Sequence, residues 1–283
     1  MPGEPLSGGL DLEALEAALA GTNFAERLHF APVTGSTNSD ALAAARRGAP
    51  HGSVFLAEEQ RAGRGRGDHA WESAPGQGLY VSVVLRPPVP ARRLALLPLA
   101  AGLAAAAAIR SATGLRTDLR WPNDLLIGPR KVGGILVEAK SEPAAGGLAA
   151  AFAVVGVGIN IHQRSFPPGM ATPATSLDLE AGHPVCRLPQ LRSLLESLER
   201  EALGLADPQA QTTLPARVEQ ASTWIRGQRV EVHGPQACTG ITAGLNEHGF
   251  LQVRTTSGLV TVQTGGIRAA AGSDEVVPTG LEP

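Results

Sequence analysis

The amino-acid sequence predicts an α+β fold, a mixed β-sheet with helices covering one face, followed by a small β-barrel. Three observations carry this expectation. Strand-like and helix-like runs follow one another without the strict alternation of a doubly wound sheet. LYVSVVLRP (79–87) and LAAAFAVVGVGINI (148–161) are apolar on both faces, as central strands are. From about Trp224 the texture changes to short strands broken by Gly, Asn or His turns at intervals of roughly 8–12 residues, the pattern of a small all-β barrel. The expected organisation is a short extension with one helix (1–26), a main domain (27–222), a barrel (223–272) and a flexible tail (273–283).

Each element has a local reason. Residues 11–20 alternate Leu and acid at helical spacing. RLHFAPV (27–33) and GSVFLAEEQ (52–60) read as strands, and between them GSTNSDALAAARRGA (35–49) gives cap-type residues, an Ala-rich helix and Gly48 as its stop. The stretch 61–78, RAGRGRGDHAWESAPGQG, is too rich in Gly and Pro for regular structure. A long helix is expected at about 91–112, then strand, turn, short strand, turn and strand across LRWPNDLLIGPRKVGGILVEAK (119–140). A Pro-rich loop follows Ile161, then ATSLDLEAG (174–182) and a helix at 188–204.

Composition excludes several classes. The 283 residues are 43% hydrophobic, enough for one large core and a satellite. With a net charge of -2 and only local basic clusters, neither nucleic acid nor a membrane surface is an expected partner. No sequence-specific, salt-sensitive retention of a DNA duplex is expected at physiological salt, which a gel shift checks. Cys186 and Cys238 lie far apart with no ligand-spaced Cys or His, as in a reduced cytoplasmic protein without structural zinc. The N-terminus lacks the basic and apolar regions of a secretory signal, and Leu94–Ile109 and Pro143–Ile161 read as a buried helix and a buried strand rather than membrane spans.

Four loops carry polar residues that a core does not need. Ser36, Thr37 and Asn38 suit either a helix cap or the head of a neutral polar ligand. Gln60 ends a strand. In the loop after it, Gly63 and Gly65 permit close backbone approach, while Arg64 and Arg66 can neutralise a phosphate or carboxylate. Trp71 suits a core anchor as well as a ligand wall. This loop matches neither the P-loop nor the dinucleotide fingerprint, where Asp68 replaces the third Gly. In WPND and KVGGILVE, Asp124 and Lys131 lie seven residues apart across a predicted hairpin, able to face one another across a cleft. Lys131 and Lys140 are the only lysines among 24 basic residues, so a Lys at 131 departs from the chain's habit. Gly134, and Gly156 and Gly158 in a strand ending at Asn160, suit close approach by a ligand or a second backbone. Together the loops suggest nucleotide-dependent activation of a carboxylate. No Ser/His/Asp signature, HExxH or metal cage is present.

The ordered set STN, QRAGRGR with the following Trp, WPND, KVGGILVE, GVGIN and ATSL closely resembles the biotin protein ligases over roughly residues 27–270. The resemblance implies a biotin/lipoate ligase-like catalytic domain with an SH3-like C-terminal domain. It implies a two-step reaction in which biotin and Mg-ATP form biotinyl-5′-AMP, then biotin passes to a lysine of a biotin carboxyl carrier domain. It places Ser36, Thr37, Asn38, Gln60, Arg64, Gly65, Arg66 and Lys131 at biotin, and Gly63, Arg64, Trp71, Asn123, Asp124, Gly134 and Asn160 at the adenylate. Lys131 and Arg66 become catalytic, with Asp124 as the base for the transfer step. Asp68 and His69 depart from the usual loop, as does Arg120, which replaces a common Lys. Only 35 residues precede Ser36, which implies the enzyme-only class. Either a monomer or a homodimer is expected. A lipoate ligase, a biotin-responsive regulator and a non-catalytic nucleotide-binding module are the competing readings.

Overall fold

A computed structural model describes residues 10–67, 69–87, 89–144 and 147–270, so Asp68 and the expected tail lie outside the described residues. Helix α1 (Leu12–Leu19) starts where the Asp11 carboxylate accepts a hydrogen bond from the Ala14 amide, and it buries Leu15 and Leu19. Seven strands form the main sheet: β1 (Leu28–Thr34), β2 (Val54–Gln60), β3 (Gly78–Leu85), β4 (Asp118–Arg120), β5 (Asp124–Ile127), β6 (Arg130–Ala144) and β7 (Gly147–Asn160). Their order is β1-β2-β3-β7-β6-β5-β4. Strands β1 and β2 run parallel and the other neighbours antiparallel, so the sheet is mixed.

Side-chain alternation divides the sheet into two faces. Val81, Val83, Val155 and Val157 point into the main core, shared with α3 (Leu97–Thr113) and α5 (Arg187–Gly204). A 3-10 turn (Ala91–Leu96) leads into α3. Residues 91–113 are long and apolar enough to cross a membrane, yet Ala100, Ala101, Ala104, Ala105, Ala108 and Ile109 are fully buried in this core. The expectation of helices on one face alone needs correction. On the opposite face, Val84, Phe152 and Val154 pack against Ala41 and Ala45 of α2 (Thr37–Arg46). The short α2 covers only part of that face, and the rest is open to a cavity.

After α4 (Leu177–Ala181) and α5 comes α6 (Pro208–Gln220), which the sequence reading missed. Pro215 inside it and the Thr212–Thr213 pair hide the helical signal, because Pro removes a backbone donor and β-branched residues lower helix propensity. The C-terminal part forms a five-stranded antiparallel sheet from β8 (Arg226–His233), β9 (Cys238–Leu245), β10 (Leu251–Thr255), β11 (Gly258–Val262) and β12 (Gly266–Ala269), ordered β11-β10-β9-β8-β12. Val230, Val232, Leu251, Val253, Val262 and Ile267 are its buried apolar side chains, with Thr242 buried among its polar ones.

Candidate active site

The open part of the second face floors a cavity of about 670 Å³. Gly134 of β6 pairs with Gly158 of β7, and Leu136 with Gly156. Three glycines therefore lie on one face of two central strands. A Cβ on Gly156 would stand 2.5 Å from Asn38 Oδ1, and one on Gly158 would stand 2.6 Å from the Trp71 indole. The glycines are what allow Asn38 and Trp71 to lie directly on the sheet.

One end of the cavity is a polar network. The Thr37 amide and hydroxyl donate to Gln60 Oε1 at 2.9 and 3.1 Å. The Thr37 hydroxyl also meets Ser82 Oγ at 2.8 Å, and Ser82 donates to Asn38 Oδ1 at 3.1 Å. Asn38 donates its amide to Glu138, which also pairs with Arg64. Ser36 occupies the N-cap of α2 but makes no capping hydrogen bond with its side chain. That weakens the simple cap reading of this stretch and leaves its hydroxyl to the cavity it lines.

The loop after β2 folds back on itself. The Gly65 amide donates to His69 O at 2.7 Å and the Trp71 amide to Gly63 O at 2.8 Å. Gln60 Nε2 holds the returning strand by donating to Ser73 Oγ at 2.8 Å. Arg66 reaches the C-terminal sheet, donating to the Gly265 carbonyl and, at 2.7 Å, to Thr264 Oγ1. Among the described residues, the buried Trp71 indole N–H has no acceptor.

At the other end stands a charged cluster. Lys131 Nζ lies 2.5 Å from Asp124 Oδ1, while Arg120 donates Nη2 and Nε to Asp124 Oδ2 at 2.6 and 3.1 Å. Asp124 begins β5, and its register partners are Arg120 and Gly134, so the three charges meet where the hairpin turns onto the cavity floor. Burial pushes the Asp124 carboxyl up, but the charges and hydrogen bonds of Lys131 and Arg120 outweigh it and hold the pKa below the usual carboxylate value.

A cavity with an uncharged hydrogen-bonding end and a cationic end suits a small polar acid and the group that activates it. The model of the biotin/lipoate A/B protein ligase family matches residues 30–160. The biotin–[acetyl-CoA-carboxylase] ligase of Mycobacterium tuberculosis is 34% identical over 91% of this chain and 95% of that protein. The chain belongs to the biotin protein ligase family. Among other members, the bifunctional ligase/repressor BirA of Bacillus subtilis is 35% identical over 177 residues, and the match spans about half of that relative (53%) and 62% of this chain. A biotin protein ligase from Aquifex aeolicus, solved in complex with biotin and ATP, superposes with a TM-score of 0.71 at 26% identity, covering 86% of this chain and 98% of that one.

Most of the residues that the resemblance to biotin protein ligases singled out meet in the one cavity. Ser36, Thr37, Asn38, Gln60, Arg64, Gly65, Arg66, Trp71, Asn123, Asp124, Lys131 and Gly134 all line it. Two do not. Asn160 is buried, and its amide donates to the Thr175 carbonyl at 3.0 Å, tying β7 to the loop before α4. Gly63 stands behind the wall, where a Cβ would lie 2.3 Å from Trp71 O, so it allows the loop to fold back. Lys131 and Asp124 form a direct ion pair rather than facing each other across a cleft.

Sequence reasoning missed Ser82, Glu138 and Thr172, and passed over Arg120 as a simple Lys replacement. Ser82 left a signal, as the only polar residue inside LYVSVVL. Glu138 follows Gly134 by four residues in a strand and therefore shares its face. Thr172, which accepts from Arg120 at 2.9 Å, lies in a loop without a pattern. The contributions of Thr264 and Gly265 depend on two sheets meeting, which no local motif records.

Proposed function

We propose that the chain is an ATP-dependent biotin ligase that makes biotinyl-5′-AMP and transfers biotin to a lysine of a carboxyl carrier domain. The single observation that supports it most is one cavity whose neutral polar end (Ser36, Thr37, Asn38, Gln60, Ser82) leads to the Arg120–Asp124–Lys131 cluster. The ring urea of biotin supplies donors and an acceptor to the first end. Its valerate carboxylate and the α-phosphate of ATP bring negative charge to the second. A lipoyl dithiolane offers no hydrogen bond to that polar end, which disfavours the lipoate reading. Residues 27–222 serve as the catalytic unit in this reading and 223–272 as an SH3-like domain that closes its cavity.

In the first step a biotin carboxylate oxygen attacks the α-phosphorus. The bond from that phosphorus to the bridging oxygen breaks, and pyrophosphate leaves. Both reactants are anions, so Lys131 lowers the barrier by charge that is most effective as the phosphorus becomes five-coordinate. Among the described residues no cluster of three His, Cys, Asp or Glu could hold a metal. Asp124, the carboxylate that lines the cavity among the described residues, is already matched by two cations. In this reading Mg²⁺ comes with the ATP phosphates, as part of the substrate. In the second step the carrier amine attacks the acyl carbon, AMP leaves, and the amine loses a proton. Asp124 is a poor base for that proton. Two cations hold it ionised, so its better-supported part is to orient Lys131.

The test is mass spectrometry after mixing protein with Mg-ATP and either biotin or lipoate. A biotinyl-AMP adduct mass without its lipoyl counterpart is expected, and the reverse would reject the reading. A second result is expected from Arg66→Gly. Arg66 is what ties the loop to Thr264 and Gly265. Without it the adenylate should escape and label lysines on bystander proteins. Labelling confined to the carrier, at an unchanged adenylate off-rate, would show that the loop is not the lid.

A further inference from the structure

The charged cluster stands on the weakest part of the sheet. Strand β4 is three residues long and lies at the sheet edge, and its single neighbour is the short β5. Edge hairpins of this length open locally at little cost. Yet Arg120 and Asp124, at the two ends of the turn between β4 and β5, must keep their places for Lys131 to keep its own.

The supports come from the C-terminal part of the chain. The Leu119 amide donates to Ala221 O at 3.3 Å, and the Thr223 amide donates to Asp118 Oδ1 at 2.9 Å. Inside the turn itself, the indole N–H of buried Trp121 donates to the Gly249 carbonyl at 3.1 Å. Gly249 belongs to the tight turn between β9 and β10. It has φ +78°, and a Cβ there would stand 2.7 Å from Leu99 of α3, so this backbone is seated directly on the main core.

One side chain shapes that turn. Asn246 Oδ1 accepts from the His248 and Phe250 amides, both at 3.0 Å, while its own amide donates to Phe250 O and its carbonyl accepts from Gly249, both at 2.9 Å. Asn246 does not line the cavity.

We propose that the β9–β10 turn is a strut for the active centre, with Asn246 and Trp121 as positioning residues that fix the Arg120–Asp124 hairpin and through it Lys131. The catalytic part of this rests on the ligase reading above; the mechanical part does not. Asn246→Leu removes the acceptor, and Asn246→Asp keeps it. Trp121→Phe keeps the packing and removes the donor.

Two measurements on the full chain test it. Hydrogen exchange of the amides in 118–126 should rise at least about tenfold in Asn246→Leu and Trp121→Phe, and stay near wild type in Asn246→Asp. In biotin-dependent ATP–pyrophosphate exchange, kcat should fall about tenfold in the first two variants, with KM for biotin within about twofold, because the polar end of the cavity is built on α2, β2 and β3. The double variant should be no worse than either single one, since both remove the same coupling. Unchanged exchange protection in 118–126, or additive losses in the double variant, would overturn the strut. A wild type that catalyses no pyrophosphate exchange would reject the ligase reading alone, and the amide measurement would still decide the strut.

Discussion

Lys131→Arg is expected to slow biotinyl-AMP formation nearly as much as Lys131→Ala, by about 10²–10³-fold or roughly 2.7–4 kcal/mol. Charge is the same in Lys and Arg; shape is not. The Lys131 ammonium stands 2.5 Å from Asp124 Oδ1 and 5.5 Å from the centre of the Trp71 ring. Gly134 lies beside it, where a Cβ would be in ordinary van der Waals contact with Nζ at 3.5 Å. Asp124 Oδ2 is already taken by the guanidinium of Arg120. A second guanidinium would have to pair with one carboxylate in a fixed plane, and its width would displace either Trp71 or the incoming carboxylate. A single ammonium can keep Asp124 and still turn its other protons toward two moving anions. Rapid-quench measurement of adenylate formation decides the matter. A Lys131→Arg rate within about threefold of wild type would mean that position 131 supplies charge and nothing more.

What could be read from the sequence, and what could not, follows from the range of the interactions. Alternation and doubly apolar runs placed β3 and β7 at the centre of the sheet because burial on both faces is a local compositional fact. The glycines at 134, 156 and 158 were legible as points of close approach, since a strand carrying Gly loses side-chain packing unless something else takes the space. What takes it, Asn38 and Trp71, comes from elsewhere in the chain and was invisible. Hairpin spacing suggested that Asp124 and Lys131 face one another across a cleft, but their direct ion pair, with Arg120 as its third member, needed the β4–β5 register. Asn160 misled for the opposite reason. A polar residue ending a buried strand looks the same whether its amide serves a ligand or, as here, a loop carbonyl. Helices on both sheet faces were missed because α2 is short and Ala-rich, so its buried stripe is no stronger than that of a surface helix.

Gly158→Ala should then separate stability from activity more sharply than any change of a charged residue. Gly158 has an ordinary extended backbone near the end of β7, so alanine brings no backbone strain there and restricts the unfolded chain. The midpoint of thermal unfolding should fall by no more than about 10 °C, since overpacking against the half-buried Trp71 typically costs about 1–3 kcal/mol. The added methyl, however, would stand 2.6 Å from Trp71 Cε2 and 2.7 Å from its Nε1. The indole must leave the sheet, and it takes with it the returning half of the loop, which is held by the Trp71 amide on Gly63 O and by Ser73 on Gln60. Adenylate formation should fall about 10²-fold, the size of effect that displacing a positioning group by 1 Å produces. Trp71→Ala removes the group that the methyl strikes, so the double variant Gly158→Ala/Trp71→Ala should be no slower than Trp71→Ala alone. If the two losses multiply instead, the methyl is blocking the cavity itself and Trp71 is not the part that Gly158 makes room for.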